Sequence, residues 1–112
     1  MISFIISTYN GLELTKACLA SLQQTVTRSD YEVILVDYLS TDGTREFLAT
    51  LAPPVRVILN ATRHNYAAVA RGEILDLLNN DFVLTPGWLD PMLAAFDRQT
   101  LYFFSLSNLA AP

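Results

Sequence analysis

Short apolar runs that alternate with helix-like segments constrain the fold of this chain more than any other feature. The runs are rich in isoleucine, valine and leucine and are bounded by polar or glycine-containing segments, as buried strands are. Strands that alternate with helices predict a parallel sheet with covered faces. We therefore expect an α/β fold, a Rossmann-like open and mainly parallel sheet with helices on both faces. The predicted strands are Ile2–Ser7, Tyr31–Val36, Val55–Leu59, Ile74–Leu78 and Leu101–Leu106.

Apolar residues at helical spacing place helices between these strands. The first helix is predicted from Leu12 to about Gln24. Asp42 is a suitable N-cap for a short second helix, and Pro86 takes the first position of a later one, where proline is tolerated. Ala67–Arg71 is predicted as a further short helical stretch. With 112 residues and no repeat or linker, the chain is expected to form a single domain over residues 1–112.

Composition limits the possible classes of function. The net charge of −4 leaves no basic face for general nucleic-acid binding, so no nucleic-acid partner is expected. Hydrophobic residues make up 52% of the chain and charged residues only 16%, against about 25% charged in a typical domain. Either the core is unusually large or some apolar surface meets a partner.

Cysteine content and the apolar runs bear on the compartment. Cys18 is the only cysteine, which excludes a disulfide framework, and its helical setting favours a place in the core. No run reaches the ~18 apolar residues of a membrane span, and the N-terminal run lacks the basic flank of a signal peptide. We therefore expect no transmembrane segment and a cytoplasmic protein.

Polar side chains follow three of the predicted strands at the point where each strand ends. Ser7–Asn10 closes the first strand, Asp37 the second and Asn79–Asp81 the fourth. Such residues also form ordinary turns, so each group alone is weak evidence. The carboxyl ends of parallel strands share one edge, where open α/β sheets bind ligands. The three groups are therefore expected to converge on one crevice.

The residue types in this crevice suit a nucleotide held with a metal ion. Tyr9 offers an aromatic face for a base, and Asp37 accepts hydrogen bonds from a ring or a ribose. Asp81, together with Asn79, offers hard oxygen ligands for Mg²⁺ or Mn²⁺. The chain contains neither a GxGxxG nor a Walker-type glycine-rich loop. Bound phosphates would therefore depend on the metal.

Four segments that surround these residues occur in a recognisable order: Ile5–Asn10, Val36-Asp37 with Ser40–Thr44, Leu78–Asp81, and Pro86–Leu89. Together they resemble the family 2 glycosyltransferases of the GT-A fold, over nearly the whole chain. The resemblance implies the nucleotide-binding half of that fold. Its ligand would be a nucleotide-diphosphate sugar, with a UDP-sugar favoured, and transfer would proceed by direct displacement at the anomeric carbon.

The resemblance also implies roles for individual residues. Asp37 would contact the base. Asn79 and Asp81 would be the outer members of the family's DxD-type motif, with Asp81 on the metal and the diphosphate. The residues that would line the nucleoside pocket are Ser7, Thr8 and Tyr9.

The chain departs from the family pattern in its binding loops. Serine stands at Ser7, where the family usually has proline. The bulky pair Tyr38-Leu39 follows Asp37 in place of a small or polar pair, and it would either crowd the base or form a lid. The segment before Gly72 is several residues shorter than in the family. Within it, Arg71 is a candidate diphosphate ligand or, equally, a solvated helix end.

The acceptor half of the family fold is expected to be lacking. The catalytic base of the family, usually an aspartate or glutamate, follows the metal motif. After Asp81 the carboxylates are Asp90 and Asp97, and neither stands where that base does. The catalytic residues are therefore unknown, and residues 1–112 are expected to form a truncated GT-A-like domain that binds a nucleotide sugar.

Two alternatives stay open beside a glycosyltransferase. The first is a non-catalytic, degenerate domain that serves as an interaction module, with a possible homodimer formed through the C-terminal strand Leu101–Leu106. The second is a receiver-like signalling domain with Asp37 as phosphoacceptor. Receivers need an acidic pair after the first strand and a lysine late in the chain, whereas the only lysine here is Lys16.

Overall fold

The described part of the chain forms an open five-stranded α/β sheet. The computed structural model describes residues 1–59, 70–96 and 103–105. Its strands are β1 (Ile2–Thr8), β2 (Tyr31–Asp37), β3 (Val55–Ile58), β4 (Ile74–Asn79) and β5 (Phe103–Ser105), and its helices are α1 (Leu12–Thr25), α2 (Thr44–Leu48) and α3 (Leu89–Phe96). The strand order is β3-β2-β1-β4-β5, and every neighbouring pair is parallel. The predicted α/β class and its parallel sheet are therefore confirmed.

The predicted starts of two helices are wrong. In both cases the helix begins later than predicted, after a glycine with positive φ. The segment before α3 forms a turn, in which the Trp88 N–H donates to the Thr85 carbonyl at 3.3 Å and Gly87 has φ +87°. The helix consequently begins at Leu89, not at Pro86. At α2 the N-cap position belongs to Gly43, with φ +97°. Of the predicted stretch Ala67–Arg71, the described residues are Ala70 and Arg71, and neither is helical.

The strand order places a topological switch point between β1 and β4. β2 and β3 lie on one side of β1, whereas β4 and β5 lie on the other. Open α/β sheets bind ligands outside the carboxyl ends of the strands at such a point. The order 3-2-1-4-5 also differs from the 2-1-3-4-5 order of receiver domains. The receiver alternative therefore does not fit the fold.

Two apolar clusters lie on opposite faces of the sheet, because successive side chains of a strand alternate between faces. The larger cluster joins Phe4 of β1 to Leu22 of α1, Leu48 of α2 and Met92 of α3. The smaller cluster, on the other face, is built on Ile5, Ile34 and Val36. All three described helices thus contribute to one cluster, which fixes the loops between strands and helices against a common packed layer.

β5 is the outermost described strand on one side, and the predicted strand Leu101–Leu106 extends beyond its described residues. The homodimer through this strand stays a prediction.

Among the described helices, none has the length and apolar character needed to cross a bilayer.

Asp76 of β4 is a buried carboxyl group inside the larger cluster. It shares its strand face with Ile74 and Leu78 and is 0% exposed. Neither of its carboxyl oxygens has a hydrogen-bond partner among the described residues. Burial raises the pKa of Asp76 from 3.8 to about 8, because the charged form is poorly solvated there. The group is therefore mostly protonated at neutral pH.

Replacing Asp76 by asparagine should flatten the dependence of stability on pH. The pKa of Asp76 is higher in the folded protein than in the unfolded chain. The folded state therefore keeps a proton that the unfolded chain loses, and stability falls as pH rises from about 4 to about 8. The slope from this group is at most ~1.4 kcal/mol per pH unit. Urea unfolding of Asp76→Asn at several pH values in this window measures it.

The matched control for that experiment is Glu46→Gln, which neutralises an exposed carboxylate of α2. It should keep the slope of the wild type. Equal slopes in the wild type and Asp76→Asn would show that Asp76 does not carry the effect.

Candidate functional site

The carboxyl ends of β1, β2 and β4 lie side by side. In the register of the sheet, Thr8 pairs with Asp37 on one side of β1, and Ser7 pairs with Asn79 on the other. The three polar groups that follow these strands are therefore neighbours at one edge. This edge is also the switch point of the sheet, where a ligand crevice is expected.

Hydrogen bonds join the loop after β1 to the loop after β2. The Tyr38 N–H donates to the Thr8 carbonyl at 2.9 Å, which extends the pairing of the two strands by one step. The Asn10 N–H then donates to the Ser40 hydroxyl at 2.8 Å. The Thr41 N–H returns a bond of 2.8 Å to the side-chain oxygen of Asn10. We call these two segments, residues 9–11 and 38–43, the loop pair.

Asp42 supplies the negative charge at the beginning of both neighbouring helices. One of its oxygens accepts the N–H of Leu12, the first residue of α1, at 3.0 Å. The other accepts the N–H of Thr44, the first residue of α2, at 3.1 Å. The hydrogen bond from the Thr44 hydroxyl, aided by these two N–H groups, lowers the pKa of Asp42. An ionised carboxylate thus already serves the N-terminus of α1, where a phosphate would otherwise bind well.

Asp37 faces the interior of the protein and not the crevice. Its side chain is 0% exposed, and its two oxygens accept the backbone N–H and the hydroxyl of Ser40. The Ser40 oxygen also accepts the N–H of Asn10, so this hydroxyl both donates and accepts a hydrogen bond. The sequence predicts that Asp37 contacts the base. In this structure a base would reach Asp37 only after Ser40 moved away. In this structure Asp37 instead fixes Ser40 and hence the conformation of Tyr38-Leu39.

The three predicted residues of the nucleoside pocket differ in exposure. Thr8 is buried, and its hydroxyl lies 3.0 Å from the hydroxyl of Thr15 in α1. Ser7 is partly buried. Tyr9 is 64% exposed at the tip of the loop after β1. Tyr9 is therefore the member of this group with an open side chain, whereas Thr8 ties α1 to the sheet.

Asn80, the middle residue of the Asn79–Asp81 triplet, turns inward. Its amide nitrogen lies 3.1 Å from the Thr15 hydroxyl, 3.3 Å from the Asn10 carbonyl and 3.4 Å from the Thr8 hydroxyl. The carbonyl is an acceptor, so the atom that faces it must carry hydrogen. Asn80 therefore ties the end of β4 to the loop after β1 as a hydrogen-bond donor.

Asn79 and Asp81, on either side of Asn80, are exposed. The Asn79 carbonyl accepts the Phe82 N–H at 3.3 Å, which closes a turn around Asp81. The Cys18 thiol lies 3.6 Å from the same carbonyl. Burial, with the charge of Asp81 as a second cause, raises the pKa of Cys18 to about 11. Cys18 is therefore a protonated core residue, as the sequence predicted, and not a nucleophile.

The segment after Asp81 is held against α1. The Leu84 N–H donates to the Ser21 hydroxyl at 2.9 Å, and the Trp88 indole N–H donates to the Thr25 hydroxyl at 2.7 Å. The Trp88 ring also packs edge-on against Phe4, with 5.8 Å between ring centroids. These contacts fix the backbone that carries Asp81.

The donor set around Asp81 suits a metal that takes part of its coordination from a ligand. No cluster of three or more histidine, cysteine, aspartate or glutamate side chains occurs among the described residues. Mg²⁺ commonly keeps several waters and is bound through one or two carboxylates together with the phosphates of a substrate. The exposed carboxylate of Asp81 and the exposed amide of Asn79 fit that pattern, whereas a closed structural metal site would not.

Arg71 is not brought to this edge. The chain approaches the start of β4 at the opposite end of the sheet, where the Arg71 N–H donates to the Glu32 carboxylate at 2.6 Å. The Gly72 N–H donates to the Ser3 hydroxyl at 2.9 Å beside it. Burial alone would raise the pKa of Glu32, but hydrogen bonds from Ser3, the Arg71 N–H and Arg56 outweigh it and lower the pKa. Arg71 thus belongs to the amino edge, away from the strand ends that form the crevice.

Four residues of the site were given no ligand-binding role from the sequence: Asn10, Ser40, Asp42 and Asn80. Asn10-Gly11 and Asp42-Gly43 were visible as turn-forming pairs. Their bonds to one another depend on the contact between two loops that lie about thirty residues apart (Asn10 to Ser40 is a separation of 30). Residue type alone therefore did not reveal the partners.

Comparison with known proteins identifies the family. The family model described as glycosyl transferase family 2 matches residues 3–107. The chain belongs to this family. The poly(ribitol-phosphate) beta-glucosyltransferase of Bacillus spizizenii is 30% identical over 92 residues, which are 71% of this chain and 14% of that protein. The chain spans 12% and 14% of the length of the two curated relatives it matches.

Two solved structures show where this fold has been seen with ligands. One is the mannosyltransferase PcManGT from Pyrobaculum calidifontis in complex with GDP-Man and Mn²⁺, with a TM-score of 0.62, 28% identity, and coverage of 71% of this chain and 27% of that chain. The other is S. aureus TarS 1-349 in complex with UDP, with a TM-score of 0.66, 22% identity, and coverage of 87% and 32%. The second likeness bears on the fold alone.

Replacing Asn80 by aspartate should destabilise the protein, whereas the same replacement at Asn79 should not. A carboxylate at position 80 would face the Asn10 carbonyl and lose the amide donor, at a cost of about 1–3 kcal/mol. Asn79 is exposed, so a carboxylate there stays hydrated. Both variants add one negative charge, and thermal unfolding compares them directly. An Asn80→Asp protein as stable as Asn79→Asp would contradict the inward role of Asn80.

Proposed function

We propose that this chain binds a nucleotide-diphosphate sugar and a divalent cation at the carboxyl ends of β1, β2 and β4, as the donor-binding part of a glycosyltransferase. The observation that carries the proposal is the arrangement around Asn80. Its amide joins the end of β4 to the loop after β1, so that exposed Asp81 and exposed Tyr9 lie at the same edge. PcManGT with GDP-Man and Mn²⁺ supports the same ligand class.

Asp81 is the residue we assign to the cation, with Asn79 as a neighbouring oxygen donor. When bound, Mg²⁺ or Mn²⁺ would neutralise the diphosphate and so stabilise it as a leaving group. The protein contributes the placement of its ligands, since the turn at Asn79–Phe82 and the contacts of Trp88 hold Asp81 in position. The described strand ends carry Asp37, Asp42 and Asp81, so an unaccompanied diphosphate would meet like charge there.

The nucleoside is assigned to the loop pair. Tyr9 supplies an exposed aromatic face, and Ser7 and Thr8 form the strand end beneath it. Asp37 acts through Ser40, whose two donors it binds, and so sets the shape of the loop that would surround the base. The UDP-sugar favoured by the sequence is kept as the first ligand to test, and GDP as the second. Arg71 has no place in this assignment.

The transfer step itself is left without an assigned base. No described side chain indicates the stereochemistry of transfer, the acceptor or the sugar. Asp90 lies in the first turn of α3, where a carboxylate favours the helix dipole. That structural role accounts for Asp90, so we do not assign it to catalysis.

The test of this function is calorimetric titration of the full chain with UDP in the presence and absence of Mn²⁺. We expect Mn²⁺-dependent binding by the wild type. Asp81→Ala should lose at least about tenfold in affinity, which corresponds to ~1.4 kcal/mol. Because the carboxylate of Asp81 is exposed, its removal should leave the thermal midpoint nearly unchanged.

Glu73→Ala is the matched control, because it removes an equally exposed carboxylate at the opposite edge of the sheet. It should bind UDP as the wild type does. Binding that depends on Mn²⁺ but survives Asp81→Ala would overturn the metal assignment. A wild type that binds neither UDP nor GDP would favour the non-catalytic interaction module.

A further inference from the structure

We propose that Leu39 is a specificity-determining contact of the nucleotide site, and that with Tyr9 it forms an apolar surface for the flat face of the base. The proposal rests on the proposed function, because it concerns the same ligand. It assigns a binding role to a residue at which this chain departs from the family pattern. The evidence is the backbone conformation of Leu39, its exposure and its position beside Tyr9.

Leu39 is held in a backbone conformation that leucine rarely adopts. Its φ is +62°, in the left-handed region where the side chain crowds the following carbonyl. Among the described residues other than glycine, positive φ occurs at Asn10 and Leu39. Asparagine tolerates this region because its short polar side chain bonds locally, whereas leucine has no such compensation. The conformation of Leu39 is therefore imposed by its surroundings.

The surroundings that impose it are the hydrogen bonds on either side. Before Leu39, the Tyr38 N–H is bound to the Thr8 carbonyl. After it, the N–H and hydroxyl of Ser40 are bound to the buried carboxylate of Asp37. Leu39 gains little from burial in return, because its side chain is 49% exposed. Residues held in strained backbone conformations cluster at active sites and ligand clamps.

Tyr9 and Leu39 are the exposed large apolar residues of the loop pair. The bond from Tyr38 to the Thr8 carbonyl lies just before these two residues, and the bond from the Asn10 N–H to the Ser40 hydroxyl lies just after them. Tyr9 and Leu39 therefore lie on the two adjoining segments between these bonds. An aromatic and an aliphatic side chain, both exposed, form a surface that suits a planar and largely uncharged ring. A nucleobase has that chemistry, whereas a diphosphate does not.

The experiment compares two probes, UDP and inorganic pyrophosphate, each titrated with Mn²⁺ into the full chain. Pyrophosphate carries the charges that the metal needs but has no base. Leu39→Ala should weaken the binding of UDP by about tenfold, in line with the loss of one apolar contact. It should leave the affinity for pyrophosphate unchanged. Leu39→Gly should weaken the binding of UDP at least as much. The thermal midpoint of this variant should stay at or above that of the wild type, because glycine adopts the left-handed region without strain.

Leu59→Ala is the matched control, since Leu59 is a leucine of similar exposure (41%) that follows β3. It should bind both probes as the wild type does. If Leu39→Ala weakens the binding of UDP and of pyrophosphate equally, or weakens neither, the role of Leu39 is overturned. A loss of UDP binding that accompanies a lower thermal midpoint in both Leu39 variants would overturn it as well. If the wild type itself binds no nucleotide, the proposed function fails, and this role for Leu39 fails with it.

Discussion

The bond network of Asn80 is the constraint on which the site depends. A parallel sheet brings strand ends to one edge, but it does not by itself orient the side chains beyond the last residue of each strand. Here the Asn80 amide is within hydrogen-bond distance of acceptors on β1, on the loop after β1 and on α1. By turning inward it leaves the two residues beside it, Asn79 and Asp81, exposed. The accessible oxygens of the triplet are thus a consequence of its partly buried, inward-facing middle residue.

Charge at this edge explains why a cation belongs to the proposal. Asp37, Asp42 and Asp81 follow strand ends on the same side of the sheet, within a chain of net charge −4. Asp37 and Asp42 are bound by protein donors, so they shape the loops but are not available to a ligand. Asp81 stays open to solvent. Among the described carboxylates of this edge, Asp81 is therefore the one that is both exposed and not bound by protein donors, and the sequence has no glycine-rich loop that would bind phosphate without a cation.

Exposed apolar surface also gathers at this edge. Among the described residues, the exposed large apolar side chains either follow the carboxyl end of a strand or lie in the first turn of the helix after it; they are Tyr9, Leu14, Leu39, Leu59 and Val83. The excess of apolar residues in the sequence thus has two destinations. Most of it forms the two clusters about the sheet, and a smaller part is exposed beyond the carboxyl ends of the strands, where Tyr9 and Leu39 belong to the proposed nucleotide site.

The sequence predicted the fold better than the orientation of the site. Buried strands are apparent as apolar runs, and their order along the chain indicated which residues end them. Whether Asp37 faces inward was not readable from β2, because every residue from Glu32 to Asp37 is buried and the strand shows no alternation. The place of Arg71 was readable, since a residue that precedes β4 lies at the amino edge of a parallel sheet. The shift in the start of α3 followed from the positive φ of Gly87, which the Pro86-Gly87 pair allowed but did not require.

The central claim is that three strand ends form one site for a metal-bound nucleotide. Broadening of backbone amide signals by Mn²⁺ in the presence of UDP tests it most directly, because a paramagnetic ion affects the residues nearest to it. We predict selective broadening at Asn79–Phe82 and at Tyr9–Gly11, with weaker effects at Asp30 and Glu73 on the opposite edge, about 20 Å away along the strands. Broadening centred on Asp30 and Glu73, or none that depends on UDP, would contradict the account.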